Sequence, residues 1–155
     1  MPDPVALLPY ELAEARMALA RSDDVLAATI CDALLDRHPS YAAAWLVRAD
    51  IALQRGDDDD AESGYATALA GRPDCPAAWL GLGRVAEQRG RLDDALAFCQ
   101  VAWELAPQRR DLRADLTRLS AAHSGADGVL QLSRAALAAL HAQAGRYERA
   151  AREYQ

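Results

Sequence analysis

The side chains capable of acid–base, nucleophilic or metal chemistry are scattered along this chain. They include the histidines His38, His123 and His141 and the cysteines Cys31, Cys75 and Cys99. No histidine shares a helical face with a cysteine or a suitable pair of carboxylates, and no CxxC, HExxH, GxGxxG, Walker or nucleophile-elbow motif occurs. We therefore expect no catalytic residues, no metal site and no cofactor.

The one conspicuous acidic cluster is the run of aspartates at 57–60. A calcium loop needs ligands at alternate positions, whereas consecutive aspartates that enter a helix point in different directions. We interpret the run as solvated residues at a helix start. Asp23, Asp58 and Asp93 are predicted to cap free N–H groups there and to face the positive end of the helix dipole.

The composition favours helices. The chain has 155 residues, of which 52% are hydrophobic but only 6% aromatic, and alanine dominates. Alanine has the highest helix propensity and β-branched residues are sparse, so an all-α protein is expected. The length fits one domain spanning residues 1–155.

The charge balance argues against a nucleic-acid partner, because 23 acidic against 17 basic residues give a net charge of −6. The start, MPDPVALLPY, lacks the features of a signal peptide, and the apolar stretch AALAAL at 135–140 is too short to span a bilayer. We expect a cytoplasmic protein with reduced thiols and no membrane contact. Arginine without lysine, and the lack of asparagine, are typical of a GC-rich bacterial genome.

The chain repeats with a period of 34 residues, in the windows 8–41, 42–75 and 76–109. Three positions show the period. In the three successive windows the turn residue is Ser22, Gly56 and Gly90. The small residue that opens the second helix is Ala27, Ala61 and Ala95. The closing proline is Pro39, Pro73 and Pro107.

This pattern resembles the tetratricopeptide repeat family. The third window carries it best, as Trp79, Leu82, Gly83, Ala86, Ala95, Cys99, Ala102 and Pro107. The resemblance implies an all-α, right-handed superhelical solenoid of antiparallel helix hairpins.

Small residues recur at i and i+3 on the first helix of each window, where they let the second helix approach closely. They are Ala15, Ala49 and Gly83, followed by Ala18, Ala52 and Ala86. Trp45 and Trp79 are predicted to fill the space between hairpins. The inward position of the second helix holds Cys31, Tyr65 and Cys99.

The register fails after residue 109. An irregular helix is predicted at 110–123, and a partial repeat at about 131–155 ends inside its second helix. Repeat arrays normally end in a capping helix with a polar outer face. We therefore expect either a fragment of a longer protein or a homo-oligomer that covers the uncapped C-terminal helix.

The resemblance also implies that the first helices line a concave groove that binds peptides. The candidate groove residues are Leu12, Arg16 and Leu19 in the first window, Leu46, Asp50 and Leu53 in the second, and Leu80, Arg84 and Glu87 in the third. The leucines form an aliphatic ladder, and the alternating charges of Arg16, Asp50 and Arg84 allow pairing between neighbours. An alternative is that the leucines pack against adjacent helices.

Family members that hold the acidic C-termini of chaperones carry Lys, Asn and Arg at five groove positions. Here these positions hold Leu12, Arg16, Val47, Ala77 and Gly81. Only one of the five is basic, so we expect no carboxylate clamp.

The sequence thus predicts a non-catalytic scaffold that binds a protein or peptide, with a peptide or helical segment in the groove. Two alternatives remain open. In the first, the chain is the N-terminal regulatory or sensory portion of a larger enzyme or signalling protein. In the second, it is a self-assembling subunit.

Overall fold

The computed structural model describes residues 4–124, with side chains for residues 7–122. Every regular element in this range is a helix, which confirms the predicted all-α class. The helices are α1 (Pro4–Ala20), α2 (Asp24–Arg37), α3 (Ala42–Arg55), α4 (Asp58–Gly71), α5 (Pro76–Gln88), α6 (Leu92–Leu105) and α7 (Arg110–Ser124). The partial repeat at 131–155, with the C-terminal helix, lies outside the described residues, as do the His123 side chain and His141.

The chain divides into two compact units, the first ending at Asp74 and the second beginning at Cys75. In the first unit, α1 packs on α2 and α3 on α4, and α2 also contacts α3. In the second unit, α5 packs on α6, and α6 contacts α7. Each unit is therefore built from antiparallel neighbours joined by short turns.

The turn inside each hairpin has the same backbone geometry. Ser22, Gly56 and Gly90 have φ angles of 61°, 78° and 72°, which lie in the left-handed region. One residue later, the N–H groups of Asp23, Asp57 and Arg91 donate to the carbonyls five residues back, at 2.9, 2.9 and 2.8 Å. This pairing ends each helix as a Schellman motif, and the predicted turn positions are confirmed.

Small residues let the paired helices approach closely. A Cβ atom placed on Gly64 of α4 would lie 2.9 Å from the Cβ of Ala49 on α3. A Cβ on Gly83 of α5 would lie 2.7 Å from the Sγ of Cys99 on α6. Both distances are too short for carbon, so the backbones meet where the small-residue pattern predicts contact.

Each unit has its own apolar core. The first is formed by Leu12, Ala15, Ala18, Ala27, Cys31, Leu34, Ala44, Val47 and Ile51. The second is formed by Leu80, Ala86, Ala95, Cys99, Ala102, Trp103, Ala106, Leu112, Leu116 and Leu119. The inward positions Cys31, Tyr65 and Cys99 are 0%, 0% and 1% exposed, as predicted.

The predicted aspartate caps are only partly correct. Asp23 caps α2, because its Oδ1 accepts a hydrogen bond from the Leu26 backbone N–H at 3.1 Å. The prediction is wrong for Asp58 and Asp93, which lie within the first turns of α4 and α6. Those helices begin after Asp57 and Arg91, so the two carboxylates face the helix dipole without occupying the cap.

In the part of the chain that is described, no helix combines the length and the apolar character needed to cross a membrane.

Candidate functional site

The nine candidate groove residues form three groups of three, one on each of three helices, and we call these groups triads. Each triad occupies positions i, i+4 and i+7, which share one face of a helix. Leu12, Arg16 and Leu19 lie on α1, Leu46, Asp50 and Leu53 on α3, and Leu80, Arg84 and Glu87 on α5. The first two triads belong to the first compact unit and the third belongs to the second.

In the α1 triad the charged side chain is exposed, and the two leucines pack in or against the core of the first unit. Leu12 is 5% exposed and belongs to the core of the first unit. Leu19 is half-buried and packs against the same core, whereas Arg16 is exposed. The side chain of Leu12 is therefore not accessible to a partner, whereas Arg16 and part of Leu19 are accessible.

The α3 triad is half-buried throughout. Asp50 lies between Leu46 and Leu53, and its Oδ1 accepts a hydrogen bond from the Tyr65 hydroxyl at 2.6 Å. Because Tyr65 on α4 is fully buried, the bond holds the carboxylate in one orientation. The α3 face thus presents two leucines beside a positioned negative charge.

Sequence reasoning did not find the role of Tyr65. The matching positions of the other two hairpins hold Cys31 and Cys99, so this is the one inward position of the three with a strong hydrogen-bond donor. A buried tyrosine hydroxyl normally needs a partner. This need for a partner could have been recognised from the sequence. The acceptor is Asp50 on α3, the other helix of the same hairpin.

The α5 triad is engaged by α7. Leu80 is 6% exposed in the core of the second unit, together with Leu112, Leu116 and Leu119 of α7. Arg84 lies 3.8 Å from an Asp115 carboxylate oxygen. The side chains of this triad therefore contribute to the attachment of α7.

Glu87 links α5 to α7 through an ion pair with Arg118. Arg118 donates two hydrogen bonds to its carboxylate, one from Nη1 to Oε1 and one from Nη2 to Oε2 at 2.9 Å. The hydrogen bonds and charge of Arg118 hold the pKa of Glu87 below its usual range. Two parallel hydrogen bonds between a guanidinium and a carboxylate fix the relative orientation of the two groups as well as pairing their charges.

The two tryptophans are half-buried and have different surroundings. The Trp79 ring lies 6.0 Å from the ring of Phe98 on α6 and packs against the core of the second unit, so its described contacts lie within its own unit. Trp45 instead lines a cleft of about 430 Å³ between α2, α3 and α4. Its Nε1–H donates to the Pro39 carbonyl oxygen at 2.8 Å, which fixes the ring plane.

Burial affects the ionisation of two cysteine thiols. Burial raises the pKa values of Cys31 and Cys99 to about 11, so both remain protonated. All three cysteines are free. Among the described residues, no group of three or more His, Cys, Asp or Glu side chains is placed to hold a metal ion.

Comparison with known families identifies the repeat. The tetratricopeptide repeat family matches residues 10–69 and again residues 59–110, which together span more than half of the sequence. The chain belongs to the tetratricopeptide repeat family. Comparison with curated protein sequences gives no significant match.

Solved tetratricopeptide structures share the fold. The domain of Arabidopsis OM64 is 20% identical, with a TM-score of 0.66 over 72% of this chain and 92% of that one. A thermophilic tetratricopeptide protein of Thermus thermophilus is 18% identical, with a TM-score of 0.63 over 94% of this chain and 87% of that one. These likenesses confirm an all-α fold of the tetratricopeptide superhelical type.

An enzyme also contains such an array. The O-GlcNAc transferase of Thermobaculum terrenum is 20% identical, with a TM-score of 0.73 over 93% of this chain. The match covers only 27% of that transferase. Tetratricopeptide repeats generally act as scaffolds for protein–protein interaction, and membership of the family implies this general role for the present chain.

Proposed function

We propose that this chain binds an amphipathic segment of a protein partner on the face shared by α1 and α3. The observation that carries the proposal is the α3 triad, in which Leu46 and Leu53 flank an Asp50 carboxylate held at 2.6 Å by Tyr65. Protein interfaces combine an apolar centre with polar side chains that form hydrogen bonds to the partner. Leu19 and Arg16 add the same two features from α1.

The α5 triad contributes little to this proposed site. Leu80 is buried, and Arg84 and Glu87 are bound by Asp115 and Arg118 of α7. A partner would have to break these contacts before it could use them. We therefore restrict the proposed contact residues to Arg16, Leu19, Leu46, Asp50 and Leu53.

The charges of the face indicate the chemistry of the partner. Arg16 and Asp50 carry opposite signs, so a segment with apolar residues flanked by one acidic and one basic side chain would satisfy both. A peptide recognised mainly through its carboxylates is disfavoured, because Arg16 is the one basic residue at the five clamp positions. The binding mode is that of a helix or extended peptide laid into a groove.

The test uses a peptide selected from a displayed library on the immobilised full chain, with its affinity measured by titration calorimetry. Leu46→Glu and Leu53→Glu should each weaken binding at least about tenfold, because a carboxylate in an apolar contact must be desolvated. Leu105→Glu on α6, where the leucine is 39% exposed, is the matched control and should bind normally. Unchanged affinity in both groove variants, with intact helical circular dichroism, would reject the site.

A second role is favoured by one comparison. We also propose that the chain serves as the regulatory portion of a larger protein, because nearly all of it resembles one part of an O-GlcNAc transferase. The natural reading frame tests this idea. A frame that continues into a catalytic or signalling domain would support it, and a frame limited to helical repeats would exclude it.

A further inference from the structure

An exposed apolar surface lies on the side of α1 opposite the proposed groove. Tyr10 is 75% exposed and Met17 is 55% exposed, seven residues apart on one helical face. Leu26 of α2 is 44% exposed beside them. With Ala13, Glu14, Ala18, Arg21 and Asp23 they line a cleft of about 590 Å³, which we call the α1 face.

The repeat register shows what such a face normally contacts. The residues 34 positions after Tyr10 and Met17 are Ala44 and Ile51 on α3, both 0% exposed and in one cluster with the α2 side chains. The sequence pattern fails after residue 109, but the same spacing extended to α7 gives Leu112 and Leu119, both 1% exposed in a cluster with α6 side chains.

Both equivalent faces are thus covered by a neighbouring helix. Tyr10 and Met17 carry large apolar side chains at the same register positions but remain largely exposed. Large exposed apolar patches mark interaction surfaces in soluble proteins. The periodicity therefore favours an α-helix as the occupant of the α1 face.

Two of the three charged residues on the α1 face are placed symmetrically, and the third, Asp23, caps α2. Glu14 lies three residues before Met17, and Arg21 lies three residues after Ala18. In two antiparallel α1 helices related by a two-fold axis between positions 17 and 18, Glu14 of each copy faces Arg21 of the partner subunit. The face is therefore complementary to itself, which is the requirement for an isologous dimer.

We propose that a second copy of this chain docks on the α1 face, with the two α1 helices antiparallel across a two-fold axis. Met17 of each copy forms the apolar centre with Tyr10 at its edge, and the Glu14–Arg21 pairs set the register. This interface leaves Arg16 and Leu19 accessible, because they lie on the opposite side of α1. The inference is independent of the proposed peptide site.

Sedimentation of the full chain over a wide concentration range tests the proposal. The expected result is a reversible monomer–dimer equilibrium that Met17→Glu abolishes. Val101→Glu is the matched control, since Val101 on α6 is 36% exposed, and it should dimerise normally. A monomer at every concentration, growth beyond a dimer, or a dimer that survives Met17→Glu would overturn the proposal.

Charge reversal provides a second test that does not depend on an apolar substitution. Glu14→Arg and Arg21→Glu should each weaken dimerisation about tenfold, because every substitution breaks two symmetric pairs and creates like-charge contacts. The double variant Glu14→Arg/Arg21→Glu restores both pairs and should regain the wild-type dissociation constant. A double variant as weak as the single ones would overturn the two-fold arrangement.

Discussion

At the residue scale, Ser22 shows how the first turn departs from the other two. Its φ of 61° is the left-handed conformation that Gly56 and Gly90 adopt, but serine carries a Cβ that is strained there. Ser22→Gly should therefore raise the free energy of unfolding by about 1 kcal/mol in urea titrations.

The matched control for this turn substitution is Ser63→Gly in the exposed part of α4. Serine is a better helix former than glycine, so Ser63→Gly should lower the free energy of unfolding by up to about 0.5 kcal/mol, and the two serine substitutions should have opposite signs. A loss of stability in Ser22→Gly would show that the turn is not left-handed in solution.

Gly83 permits the close contact between α5 and α6. In Gly83→Ala the new Cβ would meet the Cys99 sulfur at 2.7 Å, so the expected loss of unfolding free energy is about 1–3 kcal/mol. Shortening the neighbour relieves the clash, and the double variant Gly83→Ala/Cys99→Ala should be more stable than the sum of the single effects predicts. Strict additivity in thermal or urea unfolding would contradict this contact.

At the element scale, a partly exposed ion pair between Glu87 of α5 and Arg118 of α7 contributes to the attachment of α7. The pKa of Glu87 is lowered by Arg118, so the pair stabilises the fold above pH 4.5 and its contribution is lost as the pH falls through the lowered pKa. Arg118→Gln should cost less than about 1 kcal/mol at pH 7, because both side chains are partly exposed.

Urea titrations at two pH values measure this effect. The stability difference between wild type and Arg118→Gln should vanish below the lowered pKa of Glu87. Arg113→Gln, an exposed arginine on the same helix, is the control and should show no pH-dependent difference. A difference that persists in acid would mean that Arg118 acts through packing instead of charge.

The elements also show what the sequence could predict. The turns and inward positions were predictable, because backbone conformation and small residues at a fixed period are local properties. The Asp58 and Asp93 caps were predicted wrongly because the helix starts are shifted by a residue or two. The Tyr65–Asp50 bond and the pairing of Glu87 with α7 depend on contacts between helices, which spacing alone does not reveal.

At the scale of the whole molecule, the 34-residue period predicted the fold, and the family match and solved structures agree with it. The aliphatic ladder proved less uniform than its spacing implied. Leu12 and Leu80 are buried, whereas Leu46 and Leu53 are half-buried. Burial depends on what packs above each helix, so identical register positions have different surroundings.

The most direct test of the proposed function is chemical-shift mapping of the isotope-labelled full chain, titrated with a library-selected peptide. We predict that the largest amide shifts cluster at Arg16, Leu19, Leu46, Asp50 and Leu53. Shifts confined to the Trp45 cleft, with α1 unaffected, would contradict the proposed binding face.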